Sequence, residues 1–286
     1  MIKSMTGFGK TSLQLPTKKI TVEIKSLNSK NLDLNIRMPS AYREKEFALR
    51  NRIALEIERG KVDFSLFSEL TSDETTSKIN PQIVRGYIQQ LKAILPDADQ
   101  TELMKMAVRM PDTLKTERDE IDENEWAEIQ KAITEAFEAF TTFRLNEGAV
   151  LENDFEQRIE KIRQLMLEAV SYDKERIETV KSRLKDALSN LNIVIDESRF
   201  EQELIYYLEK YDITEEKVRL ENHLNYFLET MRTETSCGKK LGFISQEIGR
   251  EINTMGSKSN HSEMQKVVVQ MKDELEKIKE QLLNVL

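Results

Sequence analysis

The chain has 286 residues, enough for one large domain or two smaller ones, and its formal charge of −8 argues against a nucleic-acid binder held by bulk positive charge, leaving only a local basic patch open. Charged residues make up 33% and aromatics 7%, with nine glycines and five prolines; this points to long helices and few turns, and the apolar content is too high and too periodic for disorder. One cysteine, Cys237, excludes an intrachain disulfide framework, no apolar run approaches the roughly 18 residues of a membrane span, and the opening MIKSMTGFGK lacks a signal-peptide core, so a cytoplasmic protein is expected.

Residues 12–15 suggest a weak first strand. Residues 19–27, KITVEIKSL, alternate Ile20, Val22 and Ile24 with Thr21, Glu23 and Lys25, the period-two pattern of a half-buried strand. Residues 32–38 alternate likewise, with Leu32, Leu34 and Ile36 inward, and Asn28-Ser29-Lys30-Asn31 reads as a hairpin-like linker between the two. After Pro39 the spacing of Phe47, Ile53, Ala54 and Ile57 predicts a helix over 42–58, ended by Gly60. Val62, Phe64 and Leu66 predict a third strong strand. Pro81 suits the first position of a helix running to about Leu95, and a short helix is expected over 101–108. The acid-dense stretch 116–125 reads as a solvated linker or a helix start. Residues 126–191 predict two long helices, broken or bent near Asn146-Glu147-Gly148. Last, Met264, Val268, Met271, Leu275, Ile278, Leu282 and Val285 alternate spacings of four and three, a coiled-coil seam that packs either within the chain or between subunits. The expected class is α+β: a strand-rich N-terminal α/β domain over 1–115, long helical connecting arms over 116–200, and a helical C-terminal domain over 201–286 bearing the candidate catalytic groups.

Residues 246–259, QEIGREINTMGSKS, set Glu247 and Glu251 four apart on one helix face, where like charges weaken a helix by about 0.2–0.5 kcal/mol. By spacing alone the pair is either surface charge or two oxygen ligands for a hard divalent cation, and Arg250 and Lys240 could neutralise it instead. Gly256-Ser257-Lys258-Ser259 lacks the upstream glycine and the preceding strand of a nucleotide-triphosphate loop. Gly256 reads as a helix terminator, and Lys258 as a solvated loop lysine or a grip on one phosphate of a polymer. Over 212–231, Asp212 and Glu215 resemble a capping box, and Glu216, Arg219 or Leu220, and His223 share a face. A histidine two turns from a glutamate can ligate a metal or move protons near neutral pH, or be an ordinary half-buried side chain. His261 reads as an ordinary polar residue at a helix start. Cys237, near Lys239 and Lys240, has no partner motif for nucleophilic catalysis, and neither a zinc-type Cys/His cluster nor a Gly-rich dinucleotide fingerprint is present.

Several of these stretches resemble one family nearly end to end. They are the opening SMTGFG of residues 4–9, Glu23, NSKNLD at 28–33, Arg37-Met38-Pro39, Glu147-Gly148 before Leu151, DITEE at 212–216 with Arg219 and His223, and the block from Gly238 through Ser259. The chain is identified as a member of the YicC/YloC-like family of bacterial proteins, described as endoribonucleases. Its family N-terminal region would then extend to about residue 155. Departures from the family pattern are Lys30 for arginine, Asn222 for serine, Gly242 for an acid and Gly249 for asparagine. The resemblance implies RNA cleavage assisted by a divalent cation, Mg²⁺ or Mn²⁺, in a ring-shaped homo-oligomer, a hexamer, with other RNA-decay enzymes as further partners and no membrane. It implies catalytic roles for His223, Glu247 and Glu251, metal ligation by Glu216, Glu247 and Glu251, and RNA contacts from Arg219, Lys240, Arg250, Asn253, Ser257, Lys258 and Ser259. The rivals are a non-catalytic RNA-binding oligomer that presents RNA to other nucleases, and a helical scaffold without RNA.

Overall fold

Alternation builds the sheet. In the computed structural model, which describes residues 2–71, 78–115, 122–190, 197–234 and 236–286, the strands are β1 (Gly7–Gln14), β2 (Lys18–Leu27), β3 (Leu32–Arg37) and β4 (Gly60–Leu70). Ile20, Val22 and Ile24 of β2 and Val62, Phe64 and Leu66 of β4 are buried on one face. The expected hairpin between β2 and β3 does not form. The order is β1-β2-β4-β3, with β4 antiparallel to β2 and parallel to β3. A parallel pair needs a crossover, and the 3-10 turn Ser40–Lys45 followed by α1 (Glu46–Glu56) supplies it. Gly60 opens β4 at φ +127°, where a side chain would be strained, rather than capping α1 directly.

Beyond β4 come β5 (Lys78–Ile79), α2 (Pro81–Ile94), α3 (Gln100–Ala107) and β6 (Leu114–Lys115). Asn80 caps α2 as its side chain accepts from Gln82 N–H, with Pro81 at the first position as expected. The acid-rich residues 116–121 lie outside the described residues, and Asp122 caps α4 (Glu123–Ser171).

α4 corrects the expected break at 146–148. It runs unbroken for 49 residues, and the chain turns only at Tyr172, before α5 (Asp173–Asn190) and α6 (Glu197–Lys210). Gly148 serves a close approach instead: a Cβ there would stand 2.0 Å from the Ile2 carbonyl oxygen. Gly9 does the same for β1, where a Cβ would meet the Ala136 carbonyl oxygen at 2.1 Å. That close docking on α4 is why the first strand is longer and better held than its sequence suggested.

The first half of α4 covers the sheet through Trp126, Ile129, Ile133, Phe137 and Phe140. The second half, through Phe155, Ile159, Ile162 and Met166, packs with α7 (Thr214–Thr233), α8 (Gly238–Lys258) and α9 (Ser262–Leu282). All seven seam residues from Met264 to Val285 are buried in this second core, so the heptad stripe packs within the chain. The two ends of the chain meet beside it: Met5 N–H donates to Asn284 O at 2.7 Å and Leu286 N–H to Lys3 O at 3.0 Å. No helix among the described residues is long and apolar enough to cross a membrane.

Candidate active site

Apolar stripes set the helices that carry the candidate residues. On α7, Leu220, Leu224, Phe227 and Met231 are buried; on α8, Leu241, Ile244, Ile248, Ile252 and Met255 are buried. These stripes pack α7 and α8 together, and two side-chain ties fix their antiparallel register. At one end Lys258 Nζ lies 2.8 Å from Glu216 Oε1. At the other, Lys240 Nζ stands 5.0 Å from the centre of the Tyr226 ring. His223 lies between the ties on α7, and Glu247 and Glu251 lie between them on α8.

The Glu216 end is buried and built from several elements. Glu216 is 5% exposed, and its Oε2 has no hydrogen-bond partner among the described residues. Lys258 Nζ also donates to Asp212 O at 2.8 Å. Arg176 of α5, itself buried, donates to Tyr211 O and to Lys258 O. Asp212 Oδ1 accepts from the Thr214 hydroxyl at 2.7 Å and the Thr214 N–H at 3.0 Å. Those hydrogen bonds, with the charges of Lys258 and Arg176 behind them, hold the Asp212 carboxyl below the usual carboxylate range. The expected capping box is half realised: Asp212 satisfies Thr214, but Glu215 pairs with Arg219 instead of reaching back.

The GSKS stretch is the last turn of α8, not a loop. Gly256 is buried inside the helix, where a Cβ would meet Val268 Cγ1 at 3.0 Å, and α8 continues through Lys258. Gly256 therefore permits helix packing rather than ending the helix. The hydroxyls of Ser257 and Ser259 are taken up locally, by Thr254 O at 2.9 Å and Gly256 O at 3.4 Å, and Ser259 is buried.

The middle turns are more open. Glu247 is exposed and pairs with exposed Arg250 at 3.3 Å, and Asn253 is exposed on the following turn. Glu251 is buried and His223 half-buried, and neither has a hydrogen bond or ion pair among the described residues. Lys240 pairs with Glu234; that hydrogen bond, then the one to Tyr226, pushes its ammonium pKa up. Burial and then Glu234 push the Cys237 thiol up as well, so this buried residue at the head of α8 is kept from the thiolate state that nucleophilic chemistry needs.

The structure thus joins Glu216 with Lys258 and Glu247 with Arg250, but not Glu216 with Glu247 and Glu251. Among the described residues no three His, Cys, Asp or Glu side chains form a group able to hold a metal ion. Glu216 starts α7 and is engaged with the far end of α8. Seven residues separate Lys258 from Glu251, about 10 Å along the helix. Sequence reasoning missed Arg176, which lies in a charged helix without a motif, and the ring of Tyr226, whose partner Lys240 is fourteen positions away. His261 turns out to cap α9, its Nδ1 accepting from Met264 N–H at 3.4 Å and its ring stacked 5.3 Å from Tyr172.

Comparison with known proteins covers both halves of the chain. Residues 2–153 match the family described as endoribonuclease YicC-like, N-terminal region, and residues 169–286 match endoribonuclease YicC-like, C-terminal. A protein of Clostridioides difficile (strain 630) named "Probable endoribonuclease YicC" is 33% identical over 293 residues, covering 100% of both chains. One of the same name from Haemophilus influenzae is 28% identical over 294 residues, again covering 100% of both. The chain belongs to the YicC-like endoribonuclease family.

Proposed function

We propose that this protein is a cytoplasmic endoribonuclease that cleaves RNA phosphodiester bonds along the α7–α8 face, with a divalent cation and as a ring-shaped hexamer. The observation that carries the reading is the full-length relationship to proteins named probable endoribonucleases. The α7–α8 geometry supplies groups of the right chemistry. Cleavage needs a proton carrier for the attacking or leaving oxygen and charge neutralisation at phosphorus. His223, with no partner among the described residues, is free to carry the proton. Arg250 and Lys240, in partly exposed pairs with Glu247 and Glu234, bring positive charge suited to phosphates, and exposed Asn253 brings an amide that can hydrogen-bond a sugar or phosphate. Lys258 and Glu216 act as positioning residues, because each already holds the other. Ser257 and Ser259 back up the end of α8 in the same way, and Arg219 stands on the rim.

The donor set fits a divalent cation only in part. Glu216 is committed to Lys258, but Glu247 and Glu251 occupy successive turns, and Glu251, a largely buried residue, makes no hydrogen bond or ion pair among the described residues. Mg²⁺ is commonly held by one or two carboxylates plus substrate phosphates and water. Glu247 and Glu251 would hold it, and when bound it would neutralise charge on the phosphate.

The test is cleavage of end-labelled RNA by purified protein with Mg²⁺ or Mn²⁺ and with chelator. Wild type is expected to cut, chelator to stop it, and His223→Ala and the Glu247→Gln/Glu251→Gln double variant to bind RNA without cutting. Wild type that binds RNA and never cuts it, at any pH or with either metal, would make this an RNA-presenting protein instead. Light scattering after size exclusion tests the hexamer.

A further inference from the structure

Phe243 is anomalous. α8 buries its other large apolar residues from Leu241 to Met255, yet Phe243 is 59% exposed. Its position is not random along the helix. Phe243, Glu247 and Arg250 are spaced i, i+4 and i+7, one stripe of one face. Tyr226 of α7 is 44% exposed, and Lys240, three residues before Phe243 on α8, holds its Nζ over that ring at 5.0 Å. Gly242 leaves room next to Phe243, since a Cβ there would meet nothing within 4 Å.

The cations near these rings can meet a polyanion. Lys239, four residues before Phe243, is exposed and has no ion pair among the described residues, and Lys240 and Arg250 hold their carboxylates Glu234 and Glu247 in partly exposed pairs that a phosphate can replace. Exposed aromatic faces interleaved with cations suit a single-stranded nucleic acid, whose unstacked bases offer π-faces while its phosphates meet Lys and Arg. A duplex offers the phosphates but keeps its bases stacked inside. We infer that Phe243 and Tyr226 are a base-stacking platform at the end of the catalytic stripe, and that they select unpaired RNA as the substrate. This rests on the endoribonuclease reading and adds to it: the two rings hold the bases beside the bond to be cut, with Lys240 on the adjoining phosphate. Stacking costs no sequence preference, because every base has a π-face.

The experiment compares wild type with Phe243→Ala, Phe243→Trp and Tyr226→Ala, using a single-stranded oligoribonucleotide carrying one 2-aminopurine and its fully paired duplex. Wild type is expected to bind the single strand more tightly than the duplex and to quench 2-aminopurine. Phe243→Ala is expected to lose about 5- to 150-fold in single-strand affinity, with the quench, while duplex affinity stays the same. Phe243→Trp restores both, and Tyr226→Ala gives a smaller loss in the same direction. Unchanged single-strand affinity and quench in Phe243→Ala, with wild type still cutting RNA, would overturn the platform alone. Wild type that neither binds nor cuts RNA would overturn the endoribonuclease reading with it. A change of oligomeric state in Phe243→Ala by light scattering, with RNA affinity per subunit unchanged, would make the ring a contact between copies and overturn the platform.

Discussion

Lys258 Nζ serves the Glu216 carboxylate and the Asp212 carbonyl oxygen, each at 2.8 Å. Its removal therefore strands a carboxylate that is already short of partners at Oε2. Breaking a fully buried pair costs about 3–5 kcal/mol; Lys258 is about a quarter exposed, so Lys258→Met is expected to cost about 2–3 kcal/mol in urea unfolding. Adding Glu216→Gln removes the stranded charge, and the double variant is expected to recover at least half of that loss. A Lys258→Met protein as stable as wild type, with weaker RNA binding, would return Lys258 to a direct phosphate contact. Two other carboxyls, Asp212 and Glu274, add a pH dependence. Thr214 hydrogen bonds lower the Asp212 pKa, and Lys277, then Arg158, lower that of Glu274. Folding depresses both, so their stabilisation is present above the ordinary carboxylate range, about pH 4, and is lost as pH falls through the lower folded values. The urea midpoint is expected to drop between pH 5 and pH 3, and to drop less in Asp212→Asn.

At the scale of elements, glycine separates what the sequence shows from what it hides. A Cβ on Gly148 would press on backbone, 2.0 Å from Ile2 O, whereas one on Gly242 meets nothing. Both glycines lie inside helices, where alanine alone would gain up to about 1 kcal/mol. Gly242→Ala is expected to raise the melting temperature and Gly148→Ala to lower it by the equivalent of about 1–3 kcal/mol, through displacement of the Ile2 segment. Equal gains in both would mean that Ile2 does not rest on α4 as described. The sequence at Gly148 looked like a break because a local pattern cannot show that another segment lies against the helix. The same limit explains β3. Its alternation was legible, but its partner depends on β4, which arrives only after a crossover helix. Periodicity likewise found the seam of α9, while the choice between packing inside the chain and between subunits belonged to α4 and α8. In the candidate site, Glu247 and Arg250 were readable as near neighbours on one helix. Glu216 and Lys258, forty-two positions apart, were not readable as a pair.

α4 gives the whole molecule its unity. Its 49 residues span about 74 Å, and it supplies one wall of each core: Trp126 to Phe140 over the sheet, Phe155 to Ala169 against the helices that carry the candidate site. A helix of that length gains little stability from propensity alone and depends on what its faces bury. Loss of either core therefore exposes half of α4 and withdraws support from the other half. The docking of Met5 and Lys3 on Asn284 and Leu286 adds a second tie between the two halves of the chain. Unfolding is expected to be one cooperative transition. Trp126, the only tryptophan, reports the sheet-side core, and Ile159 lies fully buried in the other, thirty-three residues or about 50 Å further along the same helix. Ile159→Ala is expected to cost about 2–4 kcal/mol and to shift the Trp126 fluorescence midpoint in urea as far as the far-ultraviolet circular dichroism midpoint. If the dichroism signal moves and the Trp126 signal stays in place, the two cores unfold separately and α4 is a linker between domains rather than their shared spine. Coincident shifts would mean that a substitution in the sheet-side core, such as Ile133→Ala, reaches the α7–α8 face through stability alone, and so lowers activity at elevated temperature without touching RNA.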